Sequence, residues 1–239
     1  MKAMLLAAGL GTRLKPFTDK HPKALVLVNG KSLLQRNIEY LQSYGFDEII
    51  INVHHFADQI INIIQQNKGW GATISISDEQ NEVLETGGGL LKAAHFFNNS
   101  NEPFLLMNVD ILTDLNLHQM LAFHQTENPL ATLAIRNRDT SRYLMFNEVN
   151  RLIGWKNIST NETKQVLASD HPSLFAFSGI QIISPVFFEK VKMTGKFSMI
   201  DAYLKLATDN IIKGFDHSNS KMIDVGKPES IEKAEKLFP

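Results

Sequence analysis

Two aspartates far apart in the chain each close an apolar run. Asn108-Val109-Asp110 follows a run that starts at residue 104, and Ile223-Asp224-Val225-Gly226 ends another. Carboxylates delivered by separate strands suit Mg²⁺, which takes one or two of them and completes its shell with phosphate oxygens and water. Taken singly, each aspartate is also what a cap or turn would use. Near the N-terminus, Leu6-Ala7-Ala8-Gly9-Leu10-Gly11-Thr12-Arg13 runs from a buried strand into small residues and a cation, and Lys23 follows Pro22. Residues without bulky side chains let backbone N–H groups converge on an anion, so Ala7, Ala8, Gly9, Gly11 and Thr12 are candidate phosphate contacts. Arg13 and Lys23 can neutralise the charge of bound and departing phosphates. A glycine-rich connection with surface cations is the plainer alternative.

The elements that must hold these groups follow from hydrophobic period. Residues 3–8, 48–53, 72–77 and 104–109 read as strands. Between them, Leu33, Leu34, Ile38 and Leu41 recur at helical spacing with Gly45 as a stop, and residues 56–66 and 86–97 read as further helices. Strand, helix, strand in this rhythm predicts βαβ units and a mostly parallel sheet, with ligands at the C-terminal strand ends. The second half reads differently. Strands are expected at 131–135, 144–149, 151–155, 175–183 and 211–215, with Asn150 in a tight hairpin and Pro185 opening a helix. Helices follow at 197–208 and 228–238. No linker, repeat or low-complexity tract interrupts the chain. The prediction is therefore one α/β domain over residues 1–239, with a nucleotide-binding half (1–115) and an acceptor-binding half (116–239).

Composition narrows the function. Of 239 residues, 44% are hydrophobic and 21% charged, ordinary for a globular core, and the formal net charge of −1 gives no footprint for nucleic acid or an acidic membrane. Without cysteine there is no disulfide, thiolate metal site or thiol nucleophile. No apolar run reaches bilayer-spanning length, so a cytoplasmic location is expected. His54 and His55 lack a partner at metal-ligand spacing and read as strand-end polar residues. The loop lacks the Gly-Lys-Ser/Thr of a Walker motif. Leu14 stands where a dinucleotide-binding loop needs its third glycine, which speaks against a Rossmann oxidoreductase.

Gly9-x-Gly11-Thr12-Arg13-x-x-Pro16-x-Thr18, followed by Pro22-Lys23, resembles the opening motif of the sugar-phosphate nucleotidyltransferases. Later motifs occur in that family's order, so the resemblance spans nearly the whole chain. It implies the nucleotide-diphospho-sugar transferase fold, a Rossmann-like mixed, mostly parallel sheet flanked by helices. It further implies Mg²⁺ held by Asp110 and Asp224, and triphosphate oxygens held by Arg13 and Lys23. Substrates would be an NTP and a sugar 1-phosphate. The family places backbone contacts to the base in the segment matching Leu84-Glu85-Thr86-Gly87-Gly88-Gly89, which marks Gly87 and Gly88. Asn108 joins the nucleotide contacts. Gln80 stands where relatives often carry a base-pairing side chain, and its amide matches uracil or thymine. Glu82 keeps guanine open. Gly179, in Phe177-Ser178-Gly179-Ile180, matches the strand lining the sugar pocket. Lys156 falls where many relatives have Glu-Lys-Pro, and with Glu148 completes the acceptor candidates. Trp155 in place of the usual glutamate implies altered acceptor recognition, and Val109 replaces a common glycine. The overall pattern, with no β-helix after the domain, looks most like the members that uridylylate N-acetylmuramic acid 1-phosphate. Guanylyl transfer to mannose 1-phosphate and cytidylyl transfer to choline phosphate are the alternatives inside this chemistry, and a non-catalytic nucleotide-binding subunit is the alternative outside it.

Overall fold

The computed structural model describes residues 1–80, 82–98 and 100–239. Its first half alternates β1 (Lys2–Leu6), a small hairpin of β2 (Leu27–Val28) and β3 (Lys31–Ser32), then α1 (Leu33–Gln42), β4 (Glu48–Val53), α2 (Ala57–Gln66), β5 (Thr73–Asp78), α3 (Glu85–Lys92), α4 (Ala94–Phe97), β6 (Phe104–Asn108) and β7 (Ile111–Thr113). The second half carries α5 (Leu117–Glu127), β8 (Ala131–Arg136), β9 (Arg142–Phe146), β10 (Leu152–Asn157), β11 (Glu162–Gln165), β12 (Ser173–Ile183), α6 (Phe187–Lys190), α7 (Met199–Leu206), β13 (Ile212–Asp216), β14 (Met222–Asp224) and α8 (Pro228–Leu237). The main sheet runs β11-β10-β9-β12-β6-β1-β4-β5, with β8 added to β12 and β13 to β8. Strands β1, β4, β5 and β6 pair in parallel, whereas β12 lies antiparallel to β6, β8 and β9. This is the mixed sheet with a parallel centre and flanking helices that the sequence predicts.

Alternation along β1 explains why the centre is buried on both faces. Ala3 and Leu5 pack into a core with α1 and α2, while Met4 and Leu6 pack into the opposite core with α3 and α7. A third, smaller core joins Leu14, Val26, Val28, Leu33, Leu112, Val225 and Ala234. It pins the loop after β1 and the β14–β7 pair to α8, and so fixes Arg13 beside buried Leu14 and Asp224 beside buried Val225.

Several boundaries differ from the sequence expectation. The first strand ends at Leu6, because Ala7 and Ala8 turn their amides to a side chain. The helix expected over 86–97 is two helices meeting at Ala93, whose φ/ψ of −83°/0° breaks the run. The helix expected at 197–208 starts at Met199, since the Ser198 hydroxyl caps it by accepting from Asp201 N at 3.1 Å. The hairpin does turn at Asn150, with φ +53°. Its first strand, however, ends at Phe146, where Asn147 Oδ1 accepts from Val149 N and Arg151 N.

Candidate active site

The C-terminal edge of the parallel strands carries the chemistry. Asp110 lies two residues past the end of β6, and Asp224 is brought to it by backbone pairing. Asp224 stands opposite Ile111 in the β14–β7 ladder, and Val225 N donates to Asp110 O at 2.8 Å. Two carboxylates remote in sequence thus sit side by side. Burial first, then the negative charge of Asp110, pushes the Asp224 carboxyl above its ordinary value, while Lys23, Arg13 and Arg138 pull the other way. Asp224 Oδ1 is buried with no hydrogen-bond partner. Lys23 Nζ pairs with Asp110 Oδ2. A Cβ added to Gly226 would meet Asp224 Oδ1 at 2.6 Å and Arg13 Nη2 at 2.9 Å, so the Arg13 guanidinium stands at the same point. Hard oxygen donors, one of them orphaned, are what a magnesium-like cation uses, and this pair fits one. Among the described residues no cluster of three or more His, Cys, Asp or Glu forms, here or elsewhere, so the protein's share would be this pair alone.

A cavity of about 350 Å³ opens against these groups, lined by Ala7, Ala8, Gly9, Lys23, Asn52, Glu79, Asn108 and Asp110 among others. Within it the structure departs from the expected cradle. Ala7 N and Ala8 N donate to Asn52 Oδ1 at 2.7 and 3.4 Å, so they meet a side-chain carbonyl instead of open space. Asn52 Nδ2 donates to Glu79 Oε1 at 2.8 Å, and Glu79 Oε2 accepts from Leu84 N at 3.1 Å. Glu79 is 1% exposed. A carboxylate that only accepts fixes which way the Asn52 amide faces, and hence which amides it can receive. Sequence reading missed both residues. The available signal was Asn52 itself, the one polar residue in the apolar part of β4.

The remaining candidates divide. Gly9 is open, with nothing within 4 Å of an added Cβ. Gly11 is held at φ +62° by its fold, its carbonyl accepting from Thr18 Oγ1 at 2.9 Å, and Thr12 is exposed beside it. Gly179, at φ +72°, allows β12 to approach Asn108 so closely that a Cβ would meet Asn108 Nδ2 at 2.8 Å. Gly87 and Gly88 are not brought to the cavity. Their amides donate to Phe197 O at 2.9 and 3.3 Å, and an added Cβ would strike the Phe197 ring or Gly195 O, each at 2.3 Å. These glycines exist to let α3 pack on the 195–197 segment. Gln80 is exposed, its backbone N–H donating to Asp78 Oδ1, and it is not among the residues lining the cavity. Lys156 pairs with Tyr143 near the open end of the β9–β10 hairpin, whereas Glu148 is exposed in its turn. That turn is tied by Val149 O to Lys213 near the start of β13, at the sheet edge opposite Asp110. The structure therefore separates Glu148 from Lys156. A larger cavity of about 820 Å³ lies at that opposite edge beside His124 and Ser184, and no lysine or arginine lines it, which makes it a poor place for phosphates.

The chain is similar to known proteins over much of its length. A family model described as nucleotidyl transferase matches residues 2–144. An N-acetylmuramate alpha-1-phosphate uridylyltransferase from Neisseria meningitidis serogroup B is 40% identical over 116 residues, 48% of this chain and 49% of that protein. HddC from Yersinia pseudotuberculosis, solved with GMP-PN, superposes with a TM-score of 0.80 at 25% identity over 100% of this chain and 99% of that one. UDP-glucose pyrophosphorylase, solved with UDP-glucose, shares the fold with a TM-score of 0.77 at 20% identity, covering 99% of this chain and 97% of that one. The aligned segments span about half or less of the first curated relatives, 36%, 49% and 45% of their lengths.

Proposed function

This chain belongs to the nucleotidyl transferase family, and we propose that it moves a nucleoside monophosphate from an NTP onto a sugar 1-phosphate, releasing pyrophosphate. The observation that carries this reading is the convergence of Asp110 and Asp224 beside Lys23 and Arg13, at the mouth of a cavity lined by the Ala7–Gly9 segment. Residues 1–115 then supply the nucleotide side and residues 116–239 the acceptor side. The attacking group is a phosphate oxygen that is already anionic, so no general base is required. Asp110 and Asp224 would hold Mg²⁺, which when bound neutralises charge on the phosphates. Arg13 and Lys23 steady the charge that grows on the departing pyrophosphate. Gly9 and Asn108 bound the nucleotide cavity, while Gly179 and Lys156 belong to the acceptor side.

UTP and N-acetylmuramic acid 1-phosphate are the proposed pair, supported by the Neisseria relative. Gln80 no longer supports uracil, because it stands outside the cavity. A second reading, GTP as donor, is favoured by the GMP-PN bound to HddC. Pyrophosphate release from UTP, GTP, CTP and dTTP, each with Mg²⁺ and a panel of sugar phosphates and choline phosphate, tests the reading. Release with UTP and the muramic acid substrate is expected. Tight nucleotide binding with no release for any acceptor would instead establish a non-catalytic binding subunit.

A further inference from the structure

Arg138 is the cation for which the reading so far has no use. It follows β8, which runs alongside β6 through antiparallel β12, so it emerges at the same sheet edge as Asp110. Its side chain is half-buried and its Nε is buried without a partner. Nη2 makes one long bond, 3.4 Å, to Phe177 O, two residues before Gly179 on β12. A guanidinium has five N–H donors, so most of this one remains free. Among the described residues it forms no salt bridge. Gly179, at the end of the Phe177–Gly179 segment, packs against Asn108, two residues before Asp110. Arg138 is also absent from the lining of the cavity that Lys23 and Asp110 line. It therefore stands at the Asp110 edge of the sheet, beside the Phe177–Gly179 segment and outside that cavity.

We propose that Arg138 receives an anionic oxygen group of the acceptor and sets which acceptors bind, its fork of unused donors lying beside β12 at the sheet edge that carries Asp110. A planar guanidinium held by a single carbonyl, with its other donors unmet, is organised for a carboxylate or phosphate. Two groups share that chemistry, the reacting phosphate and a carboxylate elsewhere on the sugar. The assignment rests on the transferase reading for its acceptor, and on Arg138's own surroundings for its place.

Steady-state kinetics of wild type, Arg138→Ala and Arg138→Lys, with thermal midpoints as a check on folding, test it. N-acetylmuramic acid 1-phosphate and N-acetylglucosamine 1-phosphate serve as acceptors with and without a carboxylate. Arg138→Ala is expected to raise the acceptor KM at least tenfold while the nucleotide KM stays within twofold, with Arg138→Lys recovering only part. An equal rise for both acceptors assigns the phosphate, and a rise confined to the muramic acid substrate assigns the carboxylate. An unchanged acceptor KM, or a nucleotide KM that rises in step, overturns the proposal. If wild type releases no pyrophosphate with any acceptor, the transferase reading fails. Calorimetric titration of the same two sugar phosphates into wild type and Arg138→Ala then decides the subsite without turnover, equal affinities counting against it.

Discussion

The two sides of the Asp110–Asp224 pair are built on opposite plans. On the side of the Ala7–Gly9 cavity most polar groups are matched to one another, with Ser77 Oγ, opposite Asn52 on β5, the exception. Ala7 N and Ala8 N donate to Asn52, and Asn52 and Leu84 N both donate to Glu79, one network that converges on a carboxylate. On the other side, Arg136 Nε, Arg138 Nε, His217 Nδ1 and Asp224 Oδ1 are all buried without partners. Buried polar groups that bond each other rigidify a site before any ligand arrives, and those that do not keep their capacity for something else. The first side is largely closed on itself; the second keeps unmet donors and acceptors available to a ligand.

The largest effect should come from the carboxylates where the two sides meet. Asp224→Asn and Asp110→Asn are each expected to lower turnover by roughly a hundred- to a thousandfold. Stability should move the other way for Asp224. Folding raises its pKa by burying it beside Asp110, so its charge opposes folding, and a neutral amide removes that penalty. Pyrophosphate release together with calorimetry without divalent cations checks both. Turnover near wild type in either variant removes the metal assignment, and a lower melting point for Asp224→Asn removes the contrast between the sides.

The matched side should fail by losing stability. Asn52→Ala orphans Ala7 N and strips Glu79 of a donor, with an expected cost of about 2–4 kcal/mol. Arg138→Ala, across the site, deletes a single long bond and should change stability by less than about 0.5 kcal/mol. Denaturant unfolding of the two variants measures the difference directly, and equal losses would mean the two sides are built alike.

Why the sequence disclosed one side better than the other follows from the same contrast. The strands and helices of the first half carry their period locally, and the approach of Asp224 to Asp110 could be argued from two strand-end motifs. Asn52 and Glu79 could not be assigned that way, because their roles depend on register: parallel pairing of β1 with β4 places Leu6 beside Asn52. Gly87 and Gly88 misled for a related reason. A glycine run signals close approach without saying to what, and here the neighbour is Phe197. Gln80 and Glu148 were placed by motif alone, and neither position follows from spacing once Asp78 bonds the first and Lys213 anchors the turn of the second.

A pH scan separates a buried polar group that serves the fold from those that serve the site. His124, at the far edge, has Nδ1 2.8 Å from Thr132 Oγ1 and Nε2 3.0 Å from Ser184 Oγ. Ser184 Oγ gives its proton to Pro129 O, so His124 Nε2 must donate and Nδ1 must accept. Burial drives its pKa from 6.5 down to about 4. The unfolded chain therefore takes up a proton that the folded chain refuses. The resulting stability is fully present above pH 6.5 and drains away as pH falls towards 4, by at most about 3 kcal/mol. His124→Gln should flatten stability against pH in that window and leave the acceptor KM at pH 7.5 unchanged. A pH dependence as steep as wild type would show that other groups, His217 first among them, set it.

The smallest effect expected anywhere in the site candidates is that of Glu148→Gln, and its smallness is informative. Glu148 and Lys156 lie towards opposite ends of one hairpin, and Lys213 ties the Glu148 turn to the edge away from Asp110. An exposed carboxylate there has no substrate to meet, so its acceptor KM should remain within twofold of wild type. Lys156→Ala, near the end where β10 pairs with Tyr143 and Arg142, should raise that KM severalfold by removing a cation from the acceptor side. Equal shifts in the two variants would require the acceptor to extend along the whole hairpin, and the boundary between the matched and unmatched sides would then have to move from the carboxylate pair to the outer sheet edge.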